Sequence, residues 1–420
     1  MEPEARYEIG KERLYLYAPA AYILMKVVFQ AHVSPEALRA AIGKAAARQA
    51  TLCSRVEQDR DGAAYFVPCE PVPAHITVVK PEEALQAVMQ REIRTPFDVE
   101  HGGWMRHYFA EENGRDVWLL ACHHMAGDGL SVLFFIRDVQ TALGDLLLQW
   151  ERQPFCLCQS ASLGGKLPAP MRWGIHAINR QWEKDGRIFR PEDRERMTGA
   201  YWQGRMLSMK HTTVENGLLE RVLAACRSHS VTLTAAWLAA VMTTDGNATD
   251  AGVAVSVRPK NFDGMANWAT GISVRYTPKS GDFWRAARDI RRLMLKKQGN
   301  VDQRNFLLNF LRELSPTLID ATYFSAFDGL ENKAAGRVRD MFGYNGGSKG
   351  CSVTNLLRAP LEAGLVERIE FYPPMVPNAK RLFGLVTVED KLEITLQSFE
   401  PEEDTIRFLD AALDRIVREL

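Results

Sequence analysis

Two adjacent histidines close an apolar run: Cys122-His123-His124-Met125-Ala126-Gly127-Asp128-Gly129. An imidazole titrates near pH ~6.5, so it can take a proton from a hydroxyl or an amine at neutral pH. After His124 come three residues and then an Asp-Gly pair. The preceding segment, 116–124 (DVWLLACHH), has apolar residues at both parities and predicts a strand buried on both faces. Neighbouring side chains of a strand point to opposite faces. His123 and His124 therefore cannot line one cavity: one faces the core and the other an opening. That weighs against a zinc site, which needs three or four converging ligands, and no third ligand stands at a suitable spacing. No metal is expected. The competing structural reading is a satisfied pair of core histidines.

Elements on either side must position this segment. Residues 22–33 (YILMKVVFQAHV) predict a strand, followed by Ser34 as a helix N-cap and Pro35 at the first helical position. Leu38, Ala41, Ile42 and Ala45 give that helix one apolar face. A short strand is expected over 74–80, a helix opened by residues 81–83, and a long helix over 131–148. Residues 159–170 (QSASLGGKLPAP) concentrate Ser, Gly and Pro and predict a linker, followed by a charged, partly helical stretch over 172–197. The second half predicts a helix over 232–242, strands over 252–257 and 271–276, and a basic amphipathic helix over 282–297. A hairpin about 389–391 and a terminal helix over 405–420 complete it. The glycine-rich stretch 340–350 lacks the spacing of a phosphate-binding loop and predicts a flexible connection. The expected organisation is a first lobe over 1–158, a bridging segment over 159–200 and a second lobe over 201–420.

Lys plus Arg and Asp plus Glu both number 52 in the 420 residues, which argues against a nucleic-acid binder. Seven cysteines, an odd number, are scattered; Cys156 and Cys158 are too close for the usual zinc or redox spacing, so a reducing compartment is expected. The charged N-terminus predicts no signal peptide. The apolar stretch 14–25 is broken by Pro19 and ended by Lys26, short of the ~20 residues of a membrane span. A soluble, cytoplasmic, monomeric protein is the expectation.

The arrangement resembles the HHxxxDG motif of the condensation-domain and CoA-dependent acyltransferase superfamily, in which chloramphenicol acetyltransferase, alcohol acetyltransferases and nonribosomal condensation domains fall. His123, His124, Asp128 and Gly129 occupy its specified positions. Thr95-Pro96-Phe97-Asp98-Val99 resembles the family's PFD segment, with Arg106 as the companion arginine. Val255-Ser256-Val257-Arg258-Pro259 resembles its RP strand end, Asn267-Trp268-Ala269-Thr270-Gly271 its crossover, and Ser352-Val353-Thr354-Asn355-Leu356 its late strand. One departure is Gln49-Ala50, where the family often has His-Pro.

The resemblance implies an α/β fold of two chloramphenicol acetyltransferase-like α+β lobes, with a tunnel open from two sides and the active site between them. It implies acyl transfer from a thioester, with acyl-CoA or a phosphopantetheinyl carrier protein as cosubstrate and a small alcohol or amine as acceptor. His124 would be the general base, with no covalent acyl-enzyme. Asp128 would be structural and paired with Arg106, while His123 faces away and Gly129 permits close packing. Oxyanion donors would be the Gly129 amide and the Asn355 side chain, with Ser352 and Thr354 as weaker alternatives, and Trp268 lining the channel. The basic face of 282–297 is read as a solvated helix face, with contact to an acidic carrier protein or a nucleotide phosphate as the alternative. Two further readings stand beside this one. One is a carrier-dependent condensation enzyme of natural-product biosynthesis. The other is a non-catalytic binding relative of the same fold.

Overall fold

The computed structural model describes residues 5–81, 83–145, 147, 149–158, 160–246, 249–278, 281–346 and 349–420. Glu82, Leu146, Leu148, Gln159, Gly347 and Ser348, which fall within segments discussed above, lie outside the described residues. The first part runs β1 (Tyr7–Glu8), α1 (Arg13–Leu16), β2 (Tyr22–Phe29), α2 (Pro35–Arg48), β3 (Ser54–Gln58), β4 (Ala64–Pro68), β5 (Ile76–Val78), α3 (Leu85–Glu92), β6 (Met105–Glu112), β7 (Arg115–His123) and α4 (Gly129–Gly144). Helices α5 (Ala169–Trp182) and α6 (Pro191–Trp202) follow. Next come β8 (Ser208–Val214), α7 (Asn216–Ser228), α8 (Leu233–Thr244), β9 (Asp250–Ser256), β10 (Ala269–Arg275), α9 (Phe283–Gly299), α10 (Val301–Arg304), α11 (Phe306–Glu313), α12 (Pro316–Phe327) and α13 (Lys333–Phe342). The chain ends with β11 (Lys349–Arg358), β12 (Val366–Tyr372), β13 (Ala379–Val388), β14 (Lys391–Ser398) and α14 (Glu402–Val417).

Local chemistry explains the elements that flank the motif. Ser34 caps α2 by accepting the Ala37 amide at 3.2 Å. Strand β7 is buried from Val117 to His123 and sits inside a five-stranded sheet of order β12-β2-β7-β6-β5. A six-stranded sheet, β10-β9-β11-β13-β14-β8, forms the second lobe over a core of α8, α9 and α14. The two-lobe α/β expectation therefore holds.

The expected boundaries miss an exchange between the lobes. Strand β12 leaves the 201–420 segment and pairs antiparallel with β2 in the first sheet, where Glu370 faces Lys26 across the ladder. Their side chains form an ion pair at 3.1 Å. Helices α5 and α6 bury Ile175, Trp182, Met197 and Tyr201 in the first core, so most of the expected bridging segment 159–200 is part of the first lobe's packing. The exchange is held by side chains of β14: Gln397 Nε2 donates to the Pro373 carbonyl at 2.6 Å and Thr395 Oγ1 donates to that of Phe371.

Gly384 on β13 sits under this junction. A Cβ there would lie 2.1 Å from the Phe371 carbonyl oxygen, which is backbone and cannot swing aside. Gly384→Ala is therefore expected to destabilise the chain by at least the ~1–3 kcal/mol of an overpacked core. Urea unfolding checks this; an unchanged midpoint contradicts the close contact. Among the described residues no helix is long and apolar enough to cross a membrane.

Candidate active site

Strand β7 ends by splitting the two histidines. The His123 amide donates to the Trp104 carbonyl at 2.9 Å and the His124 amide to that of Ala21 at 2.7 Å. His123 turns into the first core, where Phe97 meets its ring edge-on at 5.2 Å between centroids and Trp104 lies 6.0 Å away. Its Nδ1 accepts the Met125 amide at 3.3 Å. Burial, with Arg194 adding to it, holds this imidazole well below the ordinary histidine range. A cavity of 210 Å³ at the edge of the sheet is lined by Trp104, Arg106 and His107, among others, and not by His124.

His124 faces the other way. Its Nδ1 lies 2.8 Å from the Gly127 carbonyl oxygen. A carbonyl only accepts, so Nδ1 carries the proton and Nε2 carries the lone pair in the neutral ring. The Asn267 amide nitrogen is 3.3 Å from Nδ1 and 3.0 Å from the His124 carbonyl oxygen. With Nδ1 already a donor, the Asn267 N–H is spent on the carbonyl. Nε2 has no hydrogen-bond partner among the described residues. Burial lowers the pKa of His124, against the opposing pull of the Gly127 carbonyl and Asp128. The ring stays neutral well below the pH at which an ordinary histidine titrates.

Asp128 is the N-cap of α4: Oδ1 accepts the Ser131 amide at 2.9 Å, and Oδ2 accepts the Trp268 amide at 2.8 Å. Its ionic partner is Arg258, with Nη2 2.9 Å from Oδ1 and both side chains nearly fully buried. Burial pushes the Asp128 carboxyl up, but Arg258 and the Ser131 and Trp268 amides outweigh it and hold it below the usual range. The expected pairing with Arg106 is thus corrected. Arg106 faces Ala121 across the β6–β7 ladder and shares the face of His123, not that of His124. It pairs with Glu92, donates to the Thr95 carbonyl at 2.9 Å and lies 3.9 Å over the Phe97 ring. It braces the residue that packs on His123.

Arg258 also donates to the carbonyls of Gly264 and Ala266, both at 2.9 Å. The crossover loop is pinned from the first lobe by Gln49, whose Oε1 accepts the Met265 amide at 2.9 Å, and by Thr51, whose hydroxyl donates to the Met265 carbonyl at 2.8 Å. Gln49 thus does structural work with an amide.

Asn355 is not brought to His124. Its Nδ2 donates to Thr234 Oγ1 at 3.0 Å and its Oδ1 accepts the Leu357 amide at 2.8 Å, turning the chain where Leu357 adopts φ +62°. Asn355 is a turn residue at a strand irregularity, and no bond joins Ser352 or Thr354 to the site among the described residues. Trp268 is buried and reaches the site through its backbone amide, while its indole Nε1 has no partner among the described residues. Gly129 opens α4, and a Cβ there would lie 2.8 Å from Leu356 Cδ2 and 3.0 Å from Phe371 Cζ. The close approach expected at this glycine is present.

Sequence reasoning missed the N-terminal turn. Tyr15 on α1 packs on the His124 ring at 4.2 Å between centroids. The segment is anchored by a buried Arg13–Asp320 ion pair, with Nε 2.8 Å from Oδ1. His124 is consequently only 7% exposed, less than an open passage would leave it. Among the described residues no group of three or more His, Cys, Asp or Glu is placed to hold a metal ion.

Residues 16–149, which include the whole motif, match the family model of the condensation domain. No curated protein matches the chain. Similar solved structures span almost all of it. The first condensation domain of the CDA synthetase aligns with a TM-score of 0.66 at 15% identity, over 98% of this chain and 95% of that one. Polyketide synthase associated protein 5 from Mycobacterium tuberculosis gives 0.63 at 16% identity, over 99% and 98%. The starter condensation domain of rhizomide synthetase, in complex with C8-CoA and Leu-SNAC, gives 0.59 at 14% identity, over 98% and 94%. The fold along the whole chain is that of condensation domains.

Proposed function

With the condensation-domain fold as premise, we propose that this chain is an acyltransferase that moves an acyl group from a thioester to a hydroxyl or amine acceptor. The observation that supports it best is the Nδ1 contact of His124 with the Gly127 carbonyl at 2.8 Å, which fixes Nε2 as the basic atom. In the proposed reaction Nε2 takes a proton from the acceptor as its oxygen or nitrogen bonds to the thioester carbonyl carbon. The resulting oxyanion accepts from the Gly129 amide at the positive end of α4. The C–S bond then breaks and the departing sulfur takes the proton from Nε2. The imidazole returns to its starting state, and no acyl-enzyme forms. Asp128 and Arg258 hold the loop that presents His124 and take no proton. Entry of two substrates requires Tyr15 to yield its place on the ring.

An acyl-CoA is the donor to test first, because a structural relative is known in complex with C8-CoA. A carrier-protein thioester is the second. Purified chain is incubated with acyl-CoA and a panel of alcohols and amines, thiol release is read with a dye, and the acylated acceptor is weighed by mass spectrometry. Acceptor-dependent thiol release matched by acylated product supports the proposal. Thiol release without acylated product contradicts it.

The depressed pKa of His124 sets the pH profile. The catalytic form is the neutral ring, and burial keeps it neutral below pH ~6.5. For a neutral alcohol acceptor, kcat/KM is therefore expected to hold steady from pH ~8 down through ~6.5 and to fall only at lower pH. An acid limb centred at or above ~6.5 that is traced to His124 contradicts the assignment.

A further inference from the structure

Glu12 immediately precedes α1 and is 1% exposed. Neither of its carboxylate oxygens has a hydrogen-bond partner among the described residues. Its neighbour Lys11 points elsewhere: Nζ donates to Asn267 Oδ1 at 3.0 Å and to the Ala269 carbonyl at 2.6 Å. Asn267 in turn holds the His124 carbonyl, so Lys11 is engaged in bracing the catalytic loop. Tyr15, three residues after Glu12 on the same turn, lies on the His124 ring. Residues three apart on a helical turn share a face, and the Glu12 carboxylate and the Tyr15 hydroxyl are close enough to act on one another electrostatically.

A buried acceptor group left without a donor is unfavourable and is a place where a ligand is expected to supply one. Burial pushes the Glu12 carboxyl up to about 7, against the opposing pull of Lys11. Tyr15 and Cys158 are the other titratable groups that feel it. A cation arriving beside it favours the ionised form.

Building on the acyltransferase reading, we propose that Glu12 is the acceptor-specificity residue: its carboxylate binds an ammonium group carried by the acceptor while the acceptor's nucleophile meets His124. The acceptor class is then an amino alcohol or a diamine, not a neutral alcohol. The negative charge selects the cationic end.

The test is calorimetric titration of the full chain with butane-1,4-diamine and ethanolamine, set against butane-1,4-diol and ethylene glycol as neutral counterparts. At least tenfold tighter binding of the amines is expected, falling at least tenfold in Glu12→Gln and partly restored in Glu12→Asp. The comparison of amines with diols in the unaltered chain stands even if a variant folds poorly. Equal binding of amines and diols, or amine binding unchanged in Glu12→Gln, overturns the proposal. Titration of His124→Ala separates this inference from the catalytic one. Glu12-dependent amine binding should be retained there; the same binding in an unaltered chain that transfers no acyl group would keep the recognition site and discard the transferase. Acyl transfer to neutral alcohols that is indifferent to Glu12→Gln would do the reverse.

Discussion

Replacing His124 with alanine is expected to lower kcat/KM for acyl transfer by ~10²–10⁴-fold, the usual contribution of a positioned general base. The loss should fall mainly on kcat, because the proton moves in the transition state and not on binding. The fold should survive. Among the described residues His124 Nε2 has no hydrogen-bond partner, and the Arg13–Asp320 pair independently anchors the turn that carries Tyr15. His124→Ala should therefore unfold cooperatively in urea while its thiol release with acceptor collapses. His123→Ala is the contrasting variant. It empties a site packed by Phe97 and Trp104, so its effect should be on stability first. Equal rates for unaltered chain and His124→Ala would remove the base from the mechanism.

The second large effect concerns stability. Asp128→Ala leaves the Arg258 guanidinium buried without its carboxylate, and breaking a buried pair in this way costs ~3–5 kcal/mol. Arg258→Met should cost a similar amount by stranding Asp128. The double variant should lose less than the two single losses added together, because neither charge is then left alone. The sign with pH is fixed by the direction of the Asp128 shift. A carboxyl held below its unfolded value contributes stability that is present above pH ~3.9 and lost as pH falls through its folded value. The stability gap between unaltered chain and Asp128→Asn should therefore narrow in acid. Additive losses in the double variant, or a gap that widens as pH falls, would show that Asp128 and Arg258 act separately.

The local parts of this site were legible because they depend on neighbours in the chain. The opposite facing of His123 and His124 follows from strand alternation, and the Ser34 cap from its position before Pro35. The motif identified the two-lobe fold. What was not legible depends on distant contacts. Arg106 and Arg258 both stand in segments that resemble the family's own, and choosing between them needed the β6–β7 register, which puts Arg106 on the wrong face of the sheet. Asn355 is the asparagine expected at the site and Asn267 carries no expectation, although both lie in marked segments. Only the irregularity of β11 and the positive φ of Leu357 show that Asn355 serves a turn. The transfer of β12 into the first sheet leaves no local trace, since Val366–Tyr372 (VERIEFY) reads as an ordinary charged strand in either lobe. Tyr15 and Glu12 went unnoticed because their segment lies more than a hundred residues from the motif it covers.

The measurement that bears most directly on this account is the protonation of the two His124 ring nitrogens, read by ¹⁵N NMR on the full chain between pH 5 and 8 (about ~6.5, the ordinary histidine value) and assigned by comparison with His124→Gln. The account predicts a protonated Nδ1 and an unprotonated Nε2 that do not exchange roles and do not titrate across neutral pH. A proton on Nε2 in the neutral ring, or titration at the ordinary histidine value, would contradict it.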